Sequence, residues 1–288
     1  MTRVQATLRV PGTMPLPALL TLIQDVEAAG FDGVGVLDSQ LLCRDTFVTL
    51  GLAAVNTSRV MLFPAVTNPF TRHVSVLASA VQTVDELAPG RTKVVIGTGY
   101  TSAHTIGRKP ATLAEMRGCI ATLRALLAGQ AVDFGTTSGR LAYASERRIP
   151  VLMAASGPKA IELAGEVADG VMLSVGFHRG IVDAVLGHLA EGARRGGRKL
   201  EDLEIVWAVR AGIRHHRRGS PAGETQRRPS GHLEPEVALD RTGRPRAAAL
   251  RDPAGRPEHL SRSVPRARLG AGHRRDVLCP GRGRRAAL

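Results

Sequence analysis

The chain has 288 residues, of which 43% are hydrophobic and 22% charged, enough for one large domain or two small ones. Its three cysteines, Cys43, Cys119 and Cys279, form neither a CxxC pair nor a zinc-finger spacing, and reduced thiols are the simple reading. The net charge of +14 is lopsided: residues 211–288 hold 18 Arg, no Lys and 7 acidic residues, a net of +11, leaving +3 for residues 1–210.

Residues 1–210 alternate strand and helix. A first strand over 4–10 is stopped by Pro11-Gly12. A helix over 16–29 puts Leu19, Leu20, Ile23 and Val26 on one face and is closed by Gly30. Residues 33–37 form a short buried strand ending at Asp38, and 46–55 a helix. Residues 60–66 form a strand ending at Thr67-Asn68-Pro69. Val74, Leu77, Val81 and Val84 give helical spacing to 73–87, which Pro89-Gly90 stops. A strand over 93–96 runs into Gly97-Thr98-Gly99, a helix covers 113–127, and a polar excursion fills 129–148. After the next unit come a strand over 170–174, a helix over 181–193 and a last strand over 204–209.

The unit in between, residues 149–174, reads strand, tight turn, short helix and strand. Ser156-Gly157 turns the chain, and Pro158 suits a first helical position, where its missing N–H costs nothing. Ile161, Leu163, Ala164 and Val167 then supply an apolar face. The helix start points free backbone N–H groups at whatever lies above the turn, a ready place for a phosphate, and Lys159 sits beside it. The plainer alternative is an ordinary strand-to-helix turn with a Pro cap.

Apolar strands separated by amphipathic helices predict a parallel sheet with helices outside it. Seven such alternations predict an α/β fold of the (β/α)8 TIM-barrel type, incomplete at its C-terminal end, where no eighth strand is legible. A doubly wound sheet is the rival. It is weakened because Gly97-Thr98-Gly99-Tyr100-Thr101-Ser102 has Ser where the dinucleotide fingerprint needs its third Gly.

In a barrel the site lies at the C-terminal ends of the strands. Polar residues gather there: Asp38 and Ser39; Thr67 and Asn68; Thr98, Tyr100 and His104; Ser156, Gly157 and Lys159; Ser174, Gly176 and His178; and Arg210. Loops are polar in any case, and a lone His such as His104 or His178 is more often a surface or capping residue than a catalyst.

Four stretches in register carry a resemblance to a known family. They are residues 27–38, Val66-Thr-Asn-Pro-Phe-Thr-Arg-His73, residues 96–111 beginning Ile96-Gly-Thr-Gly-Tyr100, and residues 154–170 containing Ser156-Gly-Pro-Lys159. On these the chain resembles the bacterial-luciferase-like superfamily, and within it the deazaflavin-dependent branch typified by methylenetetrahydromethanopterin reductase. The resemblance implies an oxidoreductase whose barrel mouth holds an 8-hydroxy-5-deazaflavin coenzyme or, alternatively, FMN, and whose chemistry is hydride transfer.

The resemblance also implies residue roles. A non-prolyl cis peptide behind the ring maps to Ala65-Val66. Thr67, Asn68, Thr98 and Gly99 line the ring, and the phosphate falls to Ser156, Gly157, Pro158 and Lys159 with Ser174 and Gly176. Asp38, Tyr100 and His104 are the catalytic candidates, with Asp38 and Asn68 at the ring edge. Tyr100 stands where many relatives carry Asp or Glu, and a phenol with a reference pKa near 10 is no carboxylate base at neutral pH. His104 is the replacement candidate. Ser39 stands where some relatives carry His.

Two function classes compete with this one: a two-component FMN monooxygenase on the same fold, and an inactive remnant or basic-tailed binding protein. The expected partners are a small-molecule substrate and a second copy of the chain. The N-terminus lacks a signal-peptide pattern and no apolar run approaches the ~18 residues of a membrane span, so the expected location is cytoplasmic. The expected organisation is a barrel domain over 1–210 and a separate tail over 211–288. All nine aromatic residues precede that tail, the last being Trp207. Without aromatics or a basic helical stripe the tail is not a nucleic-acid module. It reads as the out-of-frame translation of a GC-rich gene, with a disordered basic arm as the rival.

Overall fold

The computed structural model describes residues 4–209. The expectations for Arg210, Cys279 and the tail over 211–288 lie outside the described residues.

Among the described residues nine strands and seven α-helices follow in order: β1 (Thr7–Val10), α1 (Leu16–Ala28), β2 (Gly33–Val36), α2 (Thr46–Asn56), β3 (Met61–Pro64), α3 (Val74–Leu87), β4 (Val94–Ile96), α4 (Tyr100–His104), α5 (Leu113–Leu127), β5 (Val132–Asp133), β6 (Ser138–Gly139), β7 (Val151–Ala155), α6 (Pro158–Val167), β8 (Gly170–Leu173), α7 (Arg179–Arg195) and β9 (Glu204–Trp207), with a 3-10 turn over Leu200–Asp202. β5 and β6 are a small antiparallel hairpin inside the polar excursion.

The other seven strands are parallel. β1-β2-β3 form one sheet and β4-β7-β8-β9 another. Isolated parallel bridges, Leu62 to Thr92 and Thr67 to Ile96, join β3 to β4. Spatial order therefore follows chain order without reversal, which removes the doubly wound alternative, whose strand order must reverse at a switch point.

The two faces of this array carry different cores. The outward face supplies Val10, Val34, Val36, Leu62, Val94, Ile96, Val151, Met153, Val171 and Leu173 to a cluster with Leu19, Ile23, Leu50, Leu77, Val81, Ile120 and Leu123 of the helices. Burying each such side chain is worth about 2 kcal/mol. The inward face holds a smaller cluster of Phe63, Ala65, Val95, Leu152 and Met172. Below it Lys93 pairs with Glu204 and lies over the Phe63 ring, 5.0 Å from its centroid. Strands β4 and β9 would stand about 14 Å apart in a flat sheet, a gap two extended side chains would barely span. Lys93 thus links β3, β4 and β9 across this face.

Local signals explain most boundaries. Asp45 caps α2, its Oδ1 accepting from Phe47 N and Val48 N at 2.9 Å each. Thr112 and Glu115 form a capping box at the start of α5. Helices α6 and α7 touch backbone to backbone: a Cβ on Gly192 would fall 1.9 Å from Glu162 O, so nothing larger than Gly fits. The strand predicted over 60–66 runs as a regular strand only over Met61–Pro64; the Ala65–Val66 peptide beyond it is cis, and Ala65 N still donates to Val36 O at 2.7 Å. Among the described residues no helix is long and apolar enough to cross a membrane.

Candidate functional site

Every described residue singled out in the sequence for the site lies at or just beyond the C-terminal end of a parallel strand. They fall into three groups.

The first group joins β3 to β4. Thr67 N donates to Val95 O at 3.0 Å and Gly97 N to Thr67 O at 2.9 Å. Gly99 adopts φ +79° as the N-cap of α4, and a Cβ there would lie 2.8 Å from Asn68 Cβ, so Gly is required on both counts. Asn68 is fully buried. Its Oδ1 accepts from Phe70 N and Thr71 N at 2.9 and 3.0 Å and its Nδ2 donates to Thr71 Oγ1 at 2.9 Å. The Asn68 side chain thus shapes its own turn. Thr67 differs: its hydroxyl is buried with no hydrogen-bond partner among the described residues. Tyr100 is exposed and meets His104 edge-on, ring centroids 4.6 Å apart, on the five-residue helix α4.

The second group is at β7 and β8. The register pairs Ala155 with Leu173, so Ser156 and Ser174 leave adjacent strand ends side by side. Both are exposed, as are Lys159 and Gly176, while Gly157 and Pro158 are partly accessible. Gly157 is the N-cap of α6 and offers no side-chain cap, so the first-turn N–H groups have no local side-chain acceptor. His178, by contrast, is accounted for: its Nδ1 accepts from Gly180 N at 3.3 Å at the start of α7. The capping role expected for a lone His holds there.

The third group centres on Asp38, which is 5% exposed beyond β2. Its Oδ2 accepts from Arg72 Nη1 at 2.7 Å, and Arg72 Nη2 donates to Asp45 Oδ2 at 2.6 Å. The guanidinium also lies 5.0 Å from the Phe47 ring centroid. Burial opposes its charge, but Asp38 and then Asp45 outweigh that and hold Arg72 above the ordinary arginine range. For Asp45 burial is likewise outweighed, by the Val48 N–H and by Arg72, so its carboxyl sits below its ordinary value. Burial and the nearby Asp38 charge push the Cys43 thiol up. A cavity of about 320 Å³ opens beside this group, lined by Gln40, Asp45, Phe70, Thr71, Arg72 and Ile106.

Arg72, Asp45 and Gln40 were not singled out by sequence reasoning. Arg72 does stand inside the Val66–His73 stretch, but its partners are 34 and 27 residues away and leave no local pattern.

The sequence profile of the family described as "Luciferase-like monooxygenase" matches residues 1–218. The chain is 31% identical over 189 residues to 5,10-methylenetetrahydromethanopterin reductase of Methanolobus tindarius, covering 62% of this chain and 56% of that one. It is 36% identical over 203 residues to F420-dependent glucose-6-phosphate dehydrogenase of Beutenbergia cavernae, covering 62% and 59%. The chain thus spans less than two thirds of these relatives. Among solved structures, coenzyme F420 dependent tetrahydromethanopterin reductase from Methanopyrus kandleri superposes with a TM-score of 0.61 at 23% identity over 72% of this chain and 65% of that one. An F420-dependent secondary alcohol dehydrogenase, in complex with an F420-acetone adduct, gives 0.65 at 19% identity over 72% and 68%. At such identities the likeness is one of fold.

Proposed function

The chain belongs to the luciferase-like monooxygenase family, and from that premise we propose that it is a deazaflavin-dependent oxidoreductase working by hydride transfer at the C-terminal ends of its strands. The fold that goes with this reading is of the (β/α)8-barrel type. Seven parallel strands in chain order support it.

The observation that carries the function is the pair of adjacent strand ends, β7 and β8. They present Ser156, Gly157 and Lys159 beside Ser174, at an accessible helix start with no side-chain cap. That set suits the phosphate of a coenzyme tail. The residues at β3 and β4 suit a flat ring. Ala65, Val66, Thr67, Asn68, Thr98 and Gly99 form a tightly joined wall, of which Val66 and Thr98 are partly accessible.

When bound, the coenzyme supplies the carbon that takes or gives the hydride. The protein's part is to hold and orient. Pro158 and Gly176 shape the phosphate loops, and Asp38 offers a carboxylate at the ring edge. Tyr100 and His104, open to solvent at the mouth, are placed to move a proton to or from a substrate. The deazaflavin is favoured over FMN because three of the four proteins named above are F420-dependent by name. FMN with a two-component monooxygenase activity is the second reading, supported by an FMN complex of a Baeyer-Villiger monooxygenase, TM-score 0.57 at 13% identity. The remnant reading predicts a protein that takes up neither coenzyme.

A second copy of the chain is the proposed partner. Val48 and Val55 of α2 and Val76 and Leu87 of α3 are exposed on two helices that pack together, an apolar stripe that suits a self-complementary contact. Replacing Val48 and Val76 by Asp is expected to yield monomer on size exclusion; an unchanged elution volume contradicts the placement.

The test of the main reading is the absorption spectrum of the full chain purified from a host that makes both coenzymes. A bound deazaflavin band is the expected result, a flavin band selects the second reading, and a colourless protein that takes up neither on addition contradicts both.

A further inference from the structure

We propose that Arg72 is a positioning residue for this chemistry: its guanidinium ties Asp38 to Asp45, and so to the first turn of α2, and thereby fixes the carboxylate at the end of β2. The inference rests on the proposed coenzyme site and adds a residue to it.

Asp38 and Asp45 carry like charges and lie on opposite ends of one planar fork, Nη1 to Asp38 at 2.7 Å and Nη2 to Asp45 at 2.6 Å. Without a cation between them they would repel. Arg72 is 15% exposed and Asp38 5%, so this bond is shielded from water and stronger than a surface pair. Asp45 is half-exposed, but it is anchored by the Phe47 and Val48 N–H groups of α2, where the helix N-terminus favours negative charge. The Phe47 ring flanks the guanidinium. The geometry therefore runs from a rigid helix end, through a planar fork, to one oxygen of Asp38.

The other Asp38 oxygen, Oδ1, accepts no hydrogen bond from any described residue. It is the oxygen left for the ring edge, and its direction is set by the bond on Oδ2. A lysine at position 72 would keep the charge but could not bridge two carboxylates in one plane. Arg72 acts through Asp38 and is assigned no contact with the ring.

The test titrates wild type, Arg72→Lys, Arg72→Gln, Asp45→Asn and Asp38→Asn with the deazaflavin coenzyme, reading affinity and the position of the bound absorption band. Asp45→Asn is the clean variant, because Asn caps α2 as well as Asp while losing the charge that holds Arg72. Both Arg72 variants are expected to bind roughly tenfold more weakly, the loss of one shielded charged hydrogen bond, and to move the band in the direction Asp38→Asn moves it. Asp45→Asn should show a smaller change of the same sign at an unchanged melting temperature. If the Arg72 variants do not fold, Asp45→Asn decides alone. Wild-type affinity and band in Arg72→Lys and Asp45→Asn overturn the assignment while leaving the coenzyme site standing. A wild-type chain that binds neither deazaflavin nor FMN overturns the site and the assignment together.

Discussion

The two ends of the parallel sheet are built to different ends. At the N-terminal end, Arg91 donates to Thr57 Oγ1 and to the carbonyls of Ala54, Thr57 and Val60 at 3.0–3.1 Å. There the Glu27 carboxylate gathers the N–H groups of Ser58, Arg59 and Val60, and Lys93 is paired with Glu204. These bonds fasten one element to the next. At the C-terminal end the pattern reverses. Ser156, Lys159 and Ser174 are exposed, and a cavity opens beside Asp45 and Arg72. The contrast matches a fold that puts stability below and chemistry above.

Breaking the lower end should cost stability and spare binding. Arg91→Ala removes four hydrogen bonds and leaves carbonyls of α2 and its following loop without their donor. We expect a loss of about 3 kcal/mol in urea unfolding, with coenzyme affinity of the folded protein unchanged. A loss under about 1 kcal/mol would erase the contrast.

The upper end should behave in the opposite way. Gly157→Asp supplies the missing cap of α6 and should hold or raise the melting temperature. The same carboxylate would repel a phosphate at the helix start, so coenzyme affinity should fall roughly tenfold or more. Equal affinity in the variant would show that the phosphate sits elsewhere.

Which of these features a sequence can show depends on how far their partners lie along the chain. The helix Leu113–Leu127 was legible to its last residue, because its apolar spacing is local. The ends of β1, β4 and β7 and the turn at Ser156–Pro158 were legible for the same reason: Gly and Pro punctuate them. Helix α4 was not, since five residues after a left-handed Gly99 are too few to show a period. Nor was the β5–β6 hairpin, whose two-residue strands have no alternation to detect. The Asp38–Arg72–Asp45 bridge and the Lys93–Glu204 pair join positions 27 to 111 residues apart, so each half reads alone as an ordinary surface charge.

Two smaller effects sharpen the comparison. Asp45→Ala removes both the α2 cap and one end of the bridge and should lower stability by about 1 kcal/mol in urea; Asp45→Asn should not, and a loss equal to that of Asp45→Ala would show that the charge rather than the cap supports α2. Glu27 gives a pH signature at the lower end. Burial opposes its charge, but the N–H groups of Val60, Arg59 and Ser58 outweigh it and lower its pKa. A carboxyl lowered on folding stabilises fully above its unfolded value, and that contribution is lost as pH falls through the lowered one. Glu27→Gln should therefore weaken the protein near neutral pH and matter less at acid pH, once the wild-type carboxyl is protonated. A gap of equal size at both pH values would contradict the assignment.

The most direct test of the central claim is amide hydrogen exchange with and without the deazaflavin coenzyme. The account expects new protection at residues 156–160 and 174–176 and none at 58–61 or 90–93. Protection confined to the latter segments, or absent from both ends at saturating coenzyme, would contradict it.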